Sequence, residues 1–163
     1  MKLQKLISKL EKHHKKKLDL SLGRTFNLLK KLGDPQDKLK NVITVVGTNA
    51  KASMCYSLKS ILNQGGYKTN LYTSPHLLSY TERYIFEDKE INEEDLIELL
   101  TDVEKTLGDD NATLFEILTC AFLKHAESFK DNVNIIEAGL FHQFDSTNVF
   151  KENLMTLLSL IHI

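Results

Sequence analysis

Apolar positions along this chain change their spacing several times, and each spacing predicts an element. Leu3, Leu6, Ile7 and Leu10 recur at helical intervals among Lys2, Lys5, Lys9 and Lys12. The basic run continues through Lys15, Lys16 and Lys17 against a single acid, Glu11, and reads as the wet face of an amphipathic helix rather than as an electrostatic arm. Leu22, Phe26, Leu29 and Leu32 form a second stripe that stops at Gly33, with Pro35 two residues on. The run NVITVV, residues 41–46, is β-branched and apolar on both faces, as a strand buried in a parallel sheet is. Residues 51–64 return to helical periodicity through Met54, Leu58, Ile61 and Leu62 and close at Gly65-Gly66, after which YKTNLYT reads as a strand. RYIFEDKEI predicts a short hairpin, and Asn92 with Asp95 opens a helix carrying Leu96, Leu99, Leu100 and Val103. TLFEILTCAFLKHAESF is a further helix, and VNIIEA a third strand.

Strands alternating with helices of a dozen or more residues predict α/β layers around a mostly parallel sheet, in one domain without repeats or linkers. With 42% apolar and 26% charged residues in 163, the chain has the composition of a globular protein. A net charge of −1 gives no general attraction to nucleic acid or anionic lipid, so partners must be argued from sites. No secretory or transit pattern and no run of 18 apolar residues is present, which predicts a cytoplasmic protein with no membrane contact. Cys55 and Cys120 lie 65 positions apart inside apolar helical patterns and read as buried free thiols.

Candidate chemistry concentrates in GTNAKAS, residues 47–53, between the strand NVITVV and the following helix. A loop at that junction aims backbone N–H groups beyond the sheet, and the helix N-terminus adds partial positive charge, so an anion is favoured. Lys51 can supply a mobile charge for outer phosphates, and the Ser53 hydroxyl can hold magnesium. The phosphate-loop pattern G-x-x-x-x-G-K-[ST] is not matched as written. The alternative is a polar turn in which Thr48 or Asn49 caps the helix.

Three further segments follow in order: YTSPHLL (72–78), ATLFEILT (112–119) and EAGLFHQFDSTNV (137–149), and SLGR and GDPQDKLK (33–40) precede the loop. Together with GTNAKAS they resemble the folylpolyglutamate synthase/dihydrofolate synthase family, relatives of the Mur ligases, whose corresponding segments read GTNGKGS, YTSPHL, LT-F-FE and E-x-GLGGR-x-DATNV. The resemblance covers nearly the whole chain. It implies a P-loop-type, mostly parallel sheet flanked by helices, like the Mur ligase central domain but incomplete. It implies that Gly47, Thr48, Asn49, Ala50, Lys51, Ala52 and Ser53 cradle ATP, with Lys51 the catalytic residue. Ser53, Ser74 and Glu137 are implied as magnesium ligands, and Thr113, Phe115, Asp145 and Ser146 as contacts to the pterin part of the substrate. Hydroxyls and carboxylates suit magnesium, and an aromatic face suits a flat heterocycle, although Phe115 equally suits core packing. His76 reads as part of the SPHL loop and His142 stands where the family has glycine, so neither is assigned a metal.

The implied reaction is ATP-driven amide formation between a folate or dihydropteroate carboxylate and L-glutamate, through an acyl phosphate, by an enzyme that is monomeric at full length. Departures are Ala50 and Ala52 for family glycines, and Gly139-Leu140-Phe141-His142-Gln143 for GLGGR. A left-handed backbone at Ala50 would cost about 1–2 kcal/mol. Residues 1–163 are expected to be the amino-terminal part of the ATP-binding ligase domain, inactive alone, with the second, glutamate-binding domain absent. LSLIHI (158–163) resembles a translated sequencing adapter and is expected to be a non-native tail. Two other readings stand beside this one: another Mur-type amino-acid ligase, or a nucleotide-binding module that has lost catalysis.

Overall fold

The computed structural model describes residues 2–13, 21–139 and 142–161. Lys15, Lys16 and Lys17 of the basic run, and Leu140, Phe141, His162 and the His142 side chain, lie outside what is described. Helix α1 (Lys2–His13) buries Leu3, Ile7 and Leu10 and turns its lysines outward, where Lys9 meets Glu104 at 2.9 Å. Helix α2 (Gly23–Lys31) ends in a Schellman closure: Gly33 has φ +85°, its N–H donates to Lys30 O at 3.1 Å, and Asp34 N donates to Leu29 O at 2.9 Å. Its buried face differs from the expected stripe. Thr25, Leu28, Leu29 and Leu32 are buried and Phe26 is 44% exposed, because the i, i+3, i+4, i+7 set that meets the core is offset by one position.

The sheet has six strands in the order β4-β3-β2-β5-β1-β6: β1 (Val42–Val46), β2 (Thr69–Tyr72), β3 (Tyr84–Phe86), β4 (Lys89–Glu90), β5 (Val133–Glu137) and β6 (Met155–Leu158). β1 pairs in parallel with β5 and β6, and β5 in parallel with β2, while β3 and β4 add an antiparallel hairpin at one edge. Strands β1, β2 and β5 are buried on both faces, β1 through an apolar run and β2 and β5 with the buried amides Asn70 and Asn134 among their apolar residues. Strand β6 was not expected from the sequence: MTLL is short and mostly exposed, with no burial pattern of its own to announce it.

Strand alternation divides the core in two. One face, carrying Val42, Tyr72 and Ile136, packs under α1, α2, α4 (Glu93–Leu107) and α5 (Leu114–Ala126). The other, carrying Ile43, Val45, Leu71 and Ile135, packs under α3 (Lys51–Gln64). Helix α3 contributes fully buried Cys55, whereas Ile61, expected in its apolar stripe, is 67% exposed. Both cysteines are buried free thiols, as expected.

On the first face, Phe122 of α5 is the centre of an aromatic cluster, with ring centroids 5.0 Å from Tyr72 and 5.3 Å from Phe86. Tyr84 stands 6.3 Å away and donates its hydroxyl to Leu118 O at 2.9 Å. This cluster ties α5 to β2 and β3. Phe122→Ala is expected to lower the stability of the chain by about 3–5 kcal/mol, read as a fall in the urea midpoint at unchanged slope.

Candidate nucleotide and substrate site

Parallel pairing sends the C-terminal ends of β1, β2 and β5 to one edge of the sheet, where ligands of open α/β sheets bind. Three of the singled-out segments leave from that edge: GTNAKAS after β1, TSPHL after β2 and EAG after β5. In the first, Gly47 has φ +143°, and Ala50 adopts the left-handed conformation expected of a strained loop, φ 58° and ψ 13°, at the N-cap of α3. The capping alternative is not what forms. Asn49 Oδ1 accepts from Ala50 N at 2.9 Å, outside the helix, and no side chain caps α3. Helices α4 and α5, by contrast, are capped by Asn92 and Thr113. The first turn of α3, carrying Lys51, Ala52 and Ser53, thus offers N–H groups to an external acceptor. Ala52 and Ser53 are exposed there. Thr48 N and Asn49 N donate to Leu160 O at 2.8 and 3.1 Å, and Ser159 Oγ donates to Asn49 O at 2.8 Å.

Glu137, at the end of β5, is buried and accepts from Ser74 N at 2.9 Å, so the β2 and β5 loops meet through this carboxylate. Burial raises its pKa above the ordinary carboxylate value, against the opposing pulls of the Ser74 N–H, Lys51 and Arg83. Lys51 therefore lies within electrostatic reach of Glu137, and both act on Cys55 beneath the loop, whose thiol burial pushes up to about 12. Cys55 is inert at neutral pH. The Ser74-Pro75 bond is cis. His76 stays within the SPHL loop: its Nδ1 accepts from Arg83 Nε at 2.9 Å, its ring lies 4.2 Å from Tyr80, and burial and then Arg83 lower its pKa. Glu82 shapes the same loop by accepting from the N–H groups of Leu77, Leu78 and Ser79 at 2.6–2.8 Å. Among the described residues no three His, Cys, Asp or Glu side chains gather as a metal cage. A buried carboxylate bonded to the serine-bearing loop after β2 is the kind of oxygen donor that fits a hard divalent cation completing its shell with phosphate and water.

The expected substrate residues come from two segments. Thr113 is the N-cap of α5, accepting from Glu116 N at 3.2 Å, while Glu116 accepts from Thr113 N. Phe115 is half-buried and packed on the core, with its ring 6.5 Å from Tyr72. Asp145 is buried, with Oδ1 accepting from Thr147 N at 3.0 Å and from Thr147 Oγ1. Ser146 Oγ donates to Thr119 Oγ1 at 3.1 Å, which also lies 3.2 Å from Tyr72 OH. Phe115 and Asp145 converge at Gly139: a Cβ placed there would be 3.3 Å from Phe115 Cε1 and 3.2 Å from Asp145 Cγ.

Sequence reasoning missed the residues that hold these groups in place. Arg24 of α2 meets the buried Glu116 carboxylate through Nε and Nη2 at 3.2–3.3 Å, fixing the start of α5 from 92 positions away. The T-x-x-E spacing of Thr113 and Glu116 is a readable capping box, but nothing local names its arginine. Thr119 and Tyr72 stand at the ends of the ATLFEILT and YTSPHLL segments, where the sequence assigns them no role.

No protein-family profile matches the chain. The dihydrofolate synthase/folylpolyglutamate synthase of Escherichia coli (strain K12) is 35% identical over 154 residues, covering 94% of this chain and 36% of that protein. Among solved structures, E. coli FolC in complex with DHPP and ADP matches with a TM-score of 0.90 at 34% identity, over 99% of this chain and 38% of that one. The bifunctional folylpolyglutamate synthase/dihydrofolate synthase of Yersinia pestis, complexed with AMPPNP and Mn ion, matches with a TM-score of 0.88 at 31% identity, over 96% and 38%. The chain spans about a third of the length of the relatives that it matches. Over that third both sequence and fold match, and the chain belongs to the dihydrofolate synthase/folylpolyglutamate synthase family.

Proposed function

We propose that this chain is the nucleotide-binding part of an ATP-dependent carboxylate–amine ligase that joins L-glutamate to a folate or dihydropteroate. The observation that carries the reading is the uncapped N-terminus of α3, led by a left-handed Ala50 and placed with Lys51 in electrostatic reach of the buried Glu137. The relatives with bound ADP, AMPPNP with Mn, and DHPP support it.

In this reading the N–H groups of the first turn of α3, from Lys51 to Ser53, and the Lys51 ammonium hold the polyphosphate, and Lys51 neutralises charge as the γ-phosphoryl leaves ADP. Glu137, with Ser53 and Ser74, would hold magnesium, which supplies further charge neutralisation. Thr113, Phe115, Asp145 and Ser146 orient the heterocycle so that the substrate carboxylate oxygen is in line with the γ-phosphorus. The resulting acyl phosphate is attacked at carbon by the glutamate amine, which loses a proton as inorganic phosphate departs. No covalent nucleophile of the protein is required.

The glutamate site is assigned to a further domain of the full-length enzyme, a monomer acting in the cytoplasm on small water-soluble substrates. The 163-residue chain is accordingly expected to bind nucleotide without turning it over; release of ADP with glutamylated product by the purified chain would overturn this. Strain at Ala50 keeps a catalytically degenerate module as the second reading, which predicts pteroate binding without ATP binding.

Two variants test the nucleotide site. Lys51→Ala should weaken magnesium-dependent binding of a fluorescent AMPPNP analogue at least tenfold, as expected for loss of a charge-assisted contact worth about 1.5–3 kcal/mol, while the far-ultraviolet spectrum is unchanged. Equal affinity in the two proteins would remove the phosphate role of this loop. Ala50→Gly relieves the left-handed strain, partly offset by the larger unfolded-state entropy of glycine, so stability should rise by up to about 1 kcal/mol and the analogue should bind more tightly. A drop in stability would show that the loop does not need this backbone conformation.

A further inference from the structure

One boundary of the substrate wall is bare backbone. Gly139 follows β5 by two residues and lies against Asp145 and Phe115, two of the residues read above as the substrate wall. A Cβ at this position would fall within contact distance of Asp145 Oδ2, 3.2 Å from Asp145 Cγ and 3.3 Å from Phe115 Cε1. Neither neighbour is loose. Asp145 Oδ1 is held by Thr147 N and Thr147 Oγ1, and the Phe115 ring is packed on the core beside Tyr72. The Asp145 carboxylate is the end of a short side chain, however, and a methyl group at 139 would be accommodated by turning it. Turning moves Oδ2 off the backbone and breaks at least one bond to Thr147. The fold would survive this change more readily than the position of the carboxylate would.

We propose that Gly139 is a positioning residue for a flat, pterin-class heterocycle. The missing side chain lets the Asp145 carboxylate and the edge of the Phe115 ring close on one point of the backbone, so an acceptor and an aromatic face are presented at a fixed spacing. A fused ring bearing an amino-pyrimidine edge needs both at once: a face to stack on and an acceptor for its N–H groups. A displaced carboxylate forfeits the second even when the ring remains. This inference rests on the reading of Thr113, Phe115, Asp145 and Ser146 as the substrate wall.

The test is a double-mutant cycle on the 163-residue chain, with pteroic acid and a fluorescent AMPPNP analogue as separate probes. Gly139→Ala is expected to weaken pteroic acid at least tenfold, leave the nucleotide within twofold, and cost little more in an Asp145→Ala background, since the carboxylate through which it acts is already gone. Unchanged pteroic acid affinity in Gly139→Ala, or full additivity with Asp145→Ala, overturns the positioning role while leaving the substrate wall in place. No loss in Asp145→Ala alone, or no binding by the parent chain, removes the substrate wall and the inference with it. If Gly139→Ala fails to fold, the double variant decides: recovery of folding shows that the clash is with the carboxylate, and continued failure overturns the proposal.

Discussion

Parallel pairing of β1, β2 and β5 is the constraint on which the remaining structure depends. Each of these strands is buried on both faces, between α3 on one side and α1, α2, α4 and α5 on the other, so none can slip by one residue without exchanging its two sets of apolar side chains. Their register places Val45 opposite Glu137 and Tyr72 opposite Ile136. That alignment brings the loops after the strands to one edge, and the Ser74–Glu137 contact follows from it. A second device lies toward the other end of the strands, where Asn134 accepts from Asn70 at 2.9 Å and Asn70 accepts from Asn132 at 3.0 Å, all three side chains buried. A slip would leave these amides unpaired in the core, at about 1–3 kcal/mol each.

Two buried carboxylates show how differently the fold treats a charge. Glu116 meets a guanidinium through several atoms and also closes the cap of α5, so removing one partner would strand the other in the interior. Glu137 accepts a single backbone N–H, has Lys51 and Arg83 at electrostatic range, and keeps a raised pKa. The first arrangement is satisfied within the chain and explains why α5 begins where it does. Among the described residues the second has no close cationic partner of the kind Glu116 has, which is the condition in which a carboxylate gains most from an external cation.

Much of this was legible in the sequence, for reasons that differ by element. Val42 to Val46 and Val133 to Glu137 announce buried strands because burial on both faces leaves no polar alternation, and Asn92 and Thr113 announce helix starts because their side chains cap locally. The start of α3 was ambiguous because Thr48 and Asn49 are residues that cap; the structure instead puts Ala50 at the N-cap, a conformation that a residue list cannot favour. Phe26 was misplaced because a stripe of large residues was preferred to one containing Thr25, and in a helix of nine residues a single substitution in the pattern rotates the apparent face. Strand β6 and the Arg24–Glu116 pair were out of reach, since both are defined by partners distant in the chain.

The combination of groups at the C-terminal edge of the central strands is a physical argument for where the chemistry lies. Away from the C-terminal edge of the central strands, buried asparagines pair with one another, α4 and α5 carry side-chain caps, and a buried glutamate has its arginine, although Thr25 Oγ1 and Gln36 Oε1 are buried without a partner and α2 has no side-chain cap. At that edge an alanine adopts a left-handed backbone, a helix N-terminus lacks a side-chain cap, and a buried carboxylate has no close cation among the described residues. Each feature costs free energy alone. All three would be relieved together by a ligand that is anionic toward α3 and brings a cation to Glu137, which is the charge pattern of a nucleotide polyphosphate with its metal.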